Sequence, residues 1–376
     1  MNQPFAKTIL WLTENYYPNR GGMAQSCDRI VNGLRDSGLN IGLVHFRSSK
    51  NKLRFKYVKN GFYLSFPVDE DSGHSLNLVY NYLCNSSYNF NFSQIVAFGG
   101  FLPLLAGPIL SQLLDINLIS LLRGNDFDVS LFSVKKRDFL FYALENSTKI
   151  CTVTIDQKDK IEKLLKHKNV YYIPNGIELE NWQVHKSELE IANSWLSSHV
   201  SDNKRVIGVF GYLKPKKGLE FFINSILRSG LSDKLFLLIT GDIYAEMNEK
   251  LLQSGIEYQL IPFMDRYELL SWYPVCNAVA IPSFYDGMPN VLLEAAALSL
   301  PIIAARVGGM KDMLEDGLQG FLFHPGDEED CAEALHKFIE ADTSYLEQIG
   351  RNCNQLVQTK YSVKIEINNY LKLFEH

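Results

Sequence analysis

The sequence predicts an α/β protein built from two doubly wound domains. Short apolar runs rich in β-branched and aromatic residues alternate with longer stretches of helical periodicity, which is typical of βαβ units and parallel sheets. The alternation stops at about residue 177 and restarts at Arg205. The length of 376 residues also fits two domains, since one domain takes roughly 100–200 residues.

In the first half, apolar runs predict strands and the periodic stretches between them predict helices. The expected strands are Thr8–Thr13, Asn40–Phe46, Phe62–Phe66, Gln94–Phe98, Asn117–Leu122, Lys149–Thr154 and Val170–Ile173. The expected helices are Met23–Ser37, Leu102–Leu114, Ser130–Glu145 and Asp156–Lys166. Because strands and helices alternate, a parallel sheet covered by helices follows.

The second half repeats this pattern and ends in helices. The expected strands are Arg205–Gly211, Lys234–Gly241, Glu257–Phe263, Ala278–Ser283, Pro301–Val307 and Gly320–His324, and helices are expected over 328–341, 344–361 and 362–374. Residues 178–203 are polar and lack the periodicity of a core element, so we interpret them as a linker region. We therefore expect an N-terminal domain over 1–177, a C-terminal domain over 178–361 and a final helix, 362–376, that packs back on the N-terminal domain.

The charge of the chain is divided unequally between the two halves. The net charge of −5 gives no indication of a dedicated nucleic-acid binder. However, 20 basic and 14 acidic residues precede Glu178, whereas 17 basic and 28 acidic residues lie from there to the end. This asymmetry indicates two domains with different surroundings.

Cysteine usage and hydropathy bear on the compartment. The six cysteines are scattered without a CxxC pair, which indicates neither a zinc site nor a disulfide framework and favours a reducing cytoplasm. The run Ile95–Leu114 carries no charge over 20 residues, long enough to span a bilayer. Its three glycines and two prolines favour a buried strand that ends in a turn. We expect a cytoplasmic protein, either free or peripheral at the inner face of the membrane.

In doubly wound folds, ligands bind outside the carboxyl ends of the strands, so the loops there are the candidate sites. Gly21 and Gly22 follow the first predicted strand and open the next helix. Their backbone N–H groups are candidates for holding an anion at a helix N-terminus. A tight strand-to-helix turn explains the same pair of glycines.

The most informative segment runs from Ser283 to Asp327. Asp286 and Gly287 lie in a predicted loop, Pro289 suits the first position of the next helix, and the free N–H groups of that helix are expected to face a phosphate. These N–H groups belong to Asn290, Val291 and Leu292. Asp286 and Glu294 are eight residues apart, a spacing that suits contacts with the hydroxyls of a nucleotide sugar. Taken singly, each acid is also explained as an incidental residue near a capped helix.

This segment closely resembles the signature of retaining glycosyltransferase family 4, whose members have the GT-B fold of two Rossmann-like domains that face a central cleft. Glu294 matches the glutamate that binds the ribose of the donor nucleotide in that family. Asp286 stands where the family has a glutamate that meets the sugar, so the charge is kept and the reach is shorter. The run Pro301–Gly309 matches the strand and paired-glycine turn that follow.

A second match is FGYLKPKKGLEFF, which begins at Phe210. Lys217 fits the family lysine that holds the donor diphosphate, whereas Tyr212 occupies the position of the usual arginine. Lys214 is a candidate for supplying the missing charge, although an ammonium does not reproduce the bidentate geometry of a guanidinium.

A third match is LLRGNDFD, which begins at Leu121. Arg123 stands in a position where many members have His or Arg, so it is expected to bind donor phosphate or acceptor. Asp126 is expected to orient the acceptor hydroxyl or to cap the next helix. Asp126 and Asp128 form an Asp-x-Asp pair, but they follow an Arg-Gly turn, so no metal site is assigned.

IPNGIE, from Ile173 to Glu178, matches the family's entry to the hinge, where Asn175 and Gly176 are interpreted as structural.

The segment Arg47–Lys59 carries six positive and no negative charges. Two interpretations are open. Charges on an edge strand protect it from pairing with another chain. Alternatively, the segment contacts an anionic acceptor or a membrane surface.

The resemblance implies a metal-independent retaining hexosyltransferase. Such an enzyme moves a sugar from a nucleoside diphosphate sugar, its co-substrate, to a hydroxyl of a saccharide or a lipid-linked glycan, as in polysaccharide biosynthesis. No other cofactor is expected. The alternatives are a catalytically impaired nucleotide-binding GT-B protein, which the departures at Tyr212 and Asp286 keep open, and a GT-B-fold sugar-nucleotide epimerase.

Overall fold

The computed structural model describes residues 7–19, 21–85, 90–124, 126–166, 169–262, 264 and 266–375. The chain divides into two compact units. Unit 1 contains Met1–Pro174 and Glu366–His376, and unit 2 contains Asn175–Ile365. The chain therefore passes from one unit to the other after Pro174 and again inside its last helix.

Unit 1 is a twisted sheet covered by helices. Its strands are β1 (Thr8–Thr13), β2 (Asn40–Ser48), β3 (Arg54–Val58), β4 (Gly61–Val68), β5 (Phe92–Phe98), β6 (Asn117–Leu122), β7 (Lys149–Thr152) and β8 (Val170–Tyr172). Its helices are α1 (Gly22–Asp36), α2 (Ser72–Asn85), α3 (Phe101–Leu114), α4 (Asp126–Leu131), α5 (Arg137–Glu145) and α6 (Ile155–Leu165). The strand order is β3-β4-β2-β1-β5-β6-β7-β8. The edge strand β3 runs antiparallel to β4, and the other pairs are parallel.

The strand order of unit 1 reverses between β1 and β5. All six residues of β1 are buried, as expected for the central strand of a sheet with both faces covered. In such sheets a crevice opens where the order reverses, outside the carboxyl ends of the two strands. In unit 1 that place is bordered by Glu14, after β1, and by Gly99 and Gly100, after β5.

Unit 2 contains a second, fully parallel sheet. Its strands are β9 (Arg205–Phe210), β10 (Leu235–Thr240), β11 (Glu257–Ile261), β12 (Ala278–Ile281), β13 (Ile302–Ala305) and β14 (Gly320–Phe323), in the order β11-β10-β9-β12-β13-β14. Its helices are α7 (Lys186–His199), α8 (Leu219–Ser229), α9 (Ala245–Ser254), α10 (Arg266–Leu269), α11 (Asn290–Ala297), α12 (Gly308–Met313), α13 (Glu328–Glu340) and α14 (Thr343–Lys360). The last helix, α15 (Val363–Glu375), begins in unit 2 and ends in unit 1. Here the strand order reverses between β9 and β12.

The α/β alternation predicted from the sequence is confirmed, but α2 was not predicted and two predicted regions differ from the structure. The single helix expected over Ser130–Glu145 is two helices, α4 and α5, because the chain turns between Phe132 and Lys136. The region 178–203, expected to be a linker without a core element, contains α7, whose Trp195 packs edge-on against Trp272 with ring centroids 5.1 Å apart. Ala192 is the one residue of the described helix α7 that is buried. The hydrophobic periodicity of this segment is therefore too weak to indicate a helix from the sequence.

The uncharged run Ile95–Leu114 forms the end of β5 and the 14-residue helix α3. The turn expected at its paired glycines is confirmed, since Gly99 and Gly100 both have positive φ. Within the described part of the chain, we find no helix of sufficient length and hydropathy to cross a bilayer.

Candidate functional site

Lys217 and Asp286 meet at the place where the strand order of unit 2 reverses. Lys217 follows β9 in a short 3-10 turn, Pro215–Lys217, and Asp286 lies in the loop after β12. The Lys217 ammonium and the Asp286 carboxylate form an ion pair, with side chains 26% and 13% exposed. The topology thus brings together two of the residues that the sequence singled out, at the edge of the sheet where a ligand is expected.

The carboxylate of Asp286 is held by its own loop. Its Oδ1 accepts a hydrogen bond of 3.0 Å from the backbone N–H of Gly287, and its Oδ2 faces Lys217. The Gly287 carbonyl in turn accepts from the N–H of Gly309 at 2.7 Å. The paired-glycine turn therefore supports the loop that presents Asp286.

Gly308 allows this close approach. Its φ is +46°, and a Cβ atom there would lie 2.0 Å from the Asp286 carbonyl oxygen. A side chain cannot occupy that space without moving the loop, and the left-handed conformation is itself unfavourable for other residues.

Glu294 is buried on α11, with 9% of its surface exposed. Its Oε2 accepts a hydrogen bond of 2.8 Å from the hydroxyl of Tyr273. Burial and the neighbouring Glu294 carboxylate raise the pKa of Tyr273 well above its ordinary value, so the phenol remains protonated and keeps donating. No sequence motif marks Tyr273, which lies in a 3-10 turn, Tyr273–Val275.

The amino terminus of α11 differs in detail from the expectation. Pro289 is the N-cap, one position before the first helical residue, Asn290. The N–H of Leu292 donates to the Pro289 carbonyl at 3.1 Å. The prediction that Leu292 offers a free N–H to a phosphate is therefore wrong, because the first turn closes on Pro289; Asn290 and Val291 begin the helix as expected.

Tyr212 and Lys214, after β9, contact each other. The Lys214 ammonium lies 4.9 Å from the centre of the Tyr212 ring, within the range of a cation–π interaction. Tyr212 is 58% exposed. Tyr212, for which the resemblance implied an arginine, thus contacts the lysine that was the candidate for supplying the missing charge.

Asn175, which the sequence suggested is structural, contacts the same loop. It is buried, and its Nδ2 donates a hydrogen bond of 2.8 Å to the Met288 carbonyl. Its neighbour Gly176 has no space for a side chain, because a Cβ would lie 2.8 Å from the Ser362 carbonyl. The hinge motif therefore also positions the loop from Asp286 to Pro289.

In unit 1, Gly21 is the N-cap of α1 with a φ of 110°, and Gly22 is the first helical residue. Glu14, after β1, accepts hydrogen bonds from the N–H groups of Phe101 and Leu102, at 3.0 and 3.1 Å. These bonds place a carboxylate at the amino terminus of α3, where the helix dipole favours it. Gly100 permits the contact, since a Cβ there would lie 2.2 Å from Glu14 Oε2.

Arg123 is not placed as the sequence predicted. Its side chain has no exposed surface, and it forms an ion pair of 3.2 Å with Glu366 and a hydrogen bond of 2.6 Å to the Tyr370 hydroxyl, both on α15. A fully enclosed and paired guanidinium does not reach a phosphate or an acceptor. The expectation that Arg123 binds either of them is therefore wrong, and the residue fixes the last helix on unit 1.

Asp126 is the first residue of α4, but its side chain lies outside the described residues, so its role stays a prediction. Asp128 forms an ion pair of 2.9 Å with Lys160. Within the described residues, no group of three or more His, Cys, Asp or Glu side chains is placed to hold a metal ion.

The basic segment Arg47–Lys59 contains the end of β2 and all of β3, the edge strand. Arg54, Lys56 and Tyr57 are exposed there. Lys56 lies 5.2 Å from the centre of the Tyr63 ring, and Lys59 pairs with Asp36 at 2.7 Å. This geometry favours the protection of a sheet edge by charge.

Residues 204–341 match the family model described as Glycosyl transferases group 1. An uncharacterized glycosyltransferase of Methanocaldococcus jannaschii is 24% identical over 340 residues, which cover 86% of each chain. The capsular polysaccharide biosynthesis glycosyltransferase CapM of Staphylococcus aureus is 30% identical over 247 residues, which cover 60% of this chain and 62% of CapM. The family model and both relatives therefore support glycosyltransferase activity.

The solved structure of HepE from Anabaena, in complex with UDP-glucose, is similar over 98% of this chain and all of that one, with a TM-score of 0.76 and 18% identity. Because the likeness spans both units, the GT-B fold expected from the sequence is confirmed.

Proposed function

We propose that this protein is a retaining glycosyltransferase that moves a sugar from a nucleoside diphosphate sugar to a hydroxyl of a saccharide or a lipid-linked glycan. The observation that carries the proposal is the pair formed by Lys217 and Asp286 where β9 and β12 diverge. The match of residues 204–341 to group 1 glycosyl transferases supports it. The names of CapM and of the UDP-glucose complex of HepE support a saccharide product and a nucleotide-sugar donor.

The pairing of Lys217 with Asp286 has a chemical meaning in this scheme. The bond to be broken joins the anomeric carbon of the sugar to an oxygen of the diphosphate. A cation that binds phosphate and a carboxylate that binds a sugar hydroxyl must therefore lie side by side, as these two groups do. Without donor, the two charges neutralise each other. Donor binding replaces their contact with one between Lys217 and phosphate and one between Asp286 and a sugar hydroxyl.

The chief catalytic demand is the negative charge that develops on the leaving diphosphate. In the proposed mechanism, Lys217 and Lys214 supply positive charge and the amino terminus of α11 supplies a dipole. Glu294, oriented by Tyr273, binds the ribose and so positions the donor. The leaving phosphate takes the proton of the acceptor on the same face of the sugar, so configuration is retained, and the scheme needs no metal ion.

The test combines donor binding and turnover. Nucleoside diphosphates and their sugars are screened by thermal shift on the full chain, because a bound ligand raises the melting temperature. The donor so identified is then used to measure release of nucleoside diphosphate with and without EDTA, and NMR of the product reports its anomeric configuration. We expect one base to stand out, EDTA to have no effect, and Lys217→Ala to lower kcat/KM by roughly 10²–10³-fold.

Lys216→Ala is the matched control, since Lys216 is the adjacent lysine and its ammonium lies over the Tyr285 ring, 5.3 Å from its centre. The effect of Lys216→Ala on kcat/KM should be no more than a few-fold.

Asp286→Asn should lower turnover but bind nucleoside diphosphate as well as the wild type or better, because a negative charge beside the phosphate has been removed. Absence of any nucleotide shift, or wild-type turnover by Lys217→Ala, would refute the proposal.

A further inference from the structure

The turn between α4 and α5 in unit 1 exposes two apolar side chains. Phe132 is 90% exposed and Val134 is 86% exposed. Three cations follow directly, Lys135, Lys136 and Arg137, and all three are exposed. We call these five residues the Phe132 surface. Single exposed apolar residues are common on proteins, but two almost fully exposed ones beside three cations form a combined apolar and basic surface.

This turn is held in place by backbone hydrogen bonds. The Ser133 carbonyl accepts from the N–H groups of Lys136 and Arg137, at 3.1 and 2.9 Å, and the Ser133 N–H donates to the Ser130 carbonyl at 3.1 Å. Phe132 and Val134 flank Ser133, so the same bonds keep both of them at the surface. The exposure is therefore a property of the folded turn.

The neighbouring helix α5 also exposes two aromatic side chains. Phe139 and Tyr142 are three residues apart, which places them on one face of a helix, and they are 42% and 43% exposed. Near these residues Asp138 supplies one negative charge, 3.6 Å from Arg137 Nε, so the charge of the Lys135–Asp138 segment stays positive. Aromatic and aliphatic side chains beside cations fit the boundary of an anionic bilayer, where rings enter the acyl region and cations meet phosphates.

We propose that the Phe132 surface docks unit 1 on an anionic lipid bilayer. Phe132 and Val134 enter the boundary between headgroups and acyl chains, and Lys135, Lys136 and Arg137 contact lipid phosphates. The basic segment Arg47–Lys59 is a different surface, which includes the edge strand β3.

Docking at this turn also has a consequence for the identity of the acceptor. This consequence rests on the proposed function. A cavity of about 320 Å³ in unit 1 is lined by Lys136 and Phe139, next to the Phe132 surface, and by Glu14 and Phe101 at the reversal of strand order. A docked turn would place the rim of this cavity at the headgroup layer. The acceptor is then a glycan carried on a lipid, presented to the cavity from the membrane plane.

The experiment measures sedimentation of the full chain with vesicles of phosphatidylcholine, alone or mixed with phosphatidylglycerol. The wild type should bind the anionic vesicles, with affinity falling as salt rises. The double variant Phe132→Ser/Val134→Ser should bind at least roughly tenfold more weakly. Lys135→Glu/Arg137→Glu should weaken binding by at least roughly twentyfold, since each cation near an anionic surface contributes roughly a factor of five.

The matched control is Lys50→Glu/Lys52→Glu, which makes the same change in charge on exposed lysines of the Arg47–Lys59 segment and should leave vesicle binding within about twofold. Melting temperatures show whether each variant is folded. The proposal is overturned if the wild type does not bind anionic vesicles, if the variants of the Phe132 surface bind as the wild type does, or if the control variant loses binding instead. It is also overturned if Phe132→Ser/Val134→Ser abolishes self-association and leaves vesicle binding intact.

Failure of docking and failure of the proposed function are distinguishable. Nucleotide thermal shifts and release of nucleoside diphosphate with a water-soluble acceptor need no vesicles. If docking occurs and a lipid-linked acceptor is used, vesicles that carry it should raise turnover of the wild type, and the Phe132→Ser/Val134→Ser variant should lose this gain while retaining turnover with the soluble acceptor.

Discussion

The hydroxyl of Tyr273 donates a hydrogen bond of 2.8 Å to Oε2 of Glu294, 21 residues farther along the chain. Both side chains are buried. Because the phenol stays protonated, it acts as a fixed donor that sets the direction of the carboxylate. Glu294 is thus contacted by a donor that lies outside every recognised motif.

Tyr273→Phe removes this bond and keeps the ring. A hydrogen bond to a charged group contributes about 1.5–3 kcal/mol, so we expect the KM for the donor to rise roughly tenfold or more, with a smaller change in kcat. Steady-state kinetics with varied donor measure both. Tyr345→Phe is the control, since that exposed hydroxyl donates to the Gly317 carbonyl at 2.8 Å. If Tyr273→Phe lowers the melting temperature and leaves KM unchanged, Tyr273 serves stability alone.

Gly308→Ala should disturb the loop that presents Asp286. The new Cβ would lie 2.0 Å from the Asp286 carbonyl, and overpacking of this kind costs about 1–3 kcal/mol or more. We expect weaker binding of the donor sugar, measured by calorimetry against the free nucleoside diphosphate. Gly230→Ala is the control, because Gly230 also has positive φ, +68°, but has no atom within 4 Å of the added Cβ. Equal effects of the two substitutions on donor binding would contradict this role of Gly308.

The sequence was informative where function depends on the ends of strands. Lys217 and Asp286 follow β9 and β12, so their approach follows from the reversal of strand order once the alternating pattern is recognised. Tyr273 could not be found in this way, because its contact with Glu294 depends on how a 3-10 turn packs against α11. The error at Arg123 has a similar cause, since its partner Glu366 is 243 residues away.

Glu366 balances two arginines of unit 1. It accepts from Arg29 Nε at 2.8 Å and from Arg123 at 3.2 Å, and its own side chain is 1% exposed. Glu366→Ala would leave the enclosed Arg123 charge without its counterion, which typically costs about 3–5 kcal/mol. Hydrogen exchange of amides in β1 and β6 reports this loss for unit 1 alone.

Asp36→Ala is the control for Glu366→Ala. It breaks the Lys59–Asp36 pair, whose side chains are 72% and 66% exposed, and exposed pairs contribute about 1 kcal/mol or less. The double variant Arg123→Met/Glu366→Leu should recover part of the loss, because apolar side chains often replace a buried ion pair without cost. If Glu366→Ala costs no more than Asp36→Ala, the network does not anchor α15.

The last prediction concerns His45, in the second half of β2. Its ring is buried, a hydrogen bond of 3.0 Å joins its Nδ1 to the Tyr63 hydroxyl, and the Tyr16 ring packs edge-on against it. Burial, aided by the charge of Arg47, lowers the pKa of His45 to about 4. The folded state therefore binds this proton less well than the unfolded chain does.

A depressed histidine pKa makes folding more favourable at higher pH. The contribution of His45 is fully present above about pH 6.5 and is lost as the pH falls toward 4, by up to about 3 kcal/mol. Urea unfolding across this window should show the decline in the wild type, and His45→Gln should flatten it. His74→Gln, at an exposed position, controls for the loss of an imidazole. A decline that persists unchanged in His45→Gln would assign it to other groups.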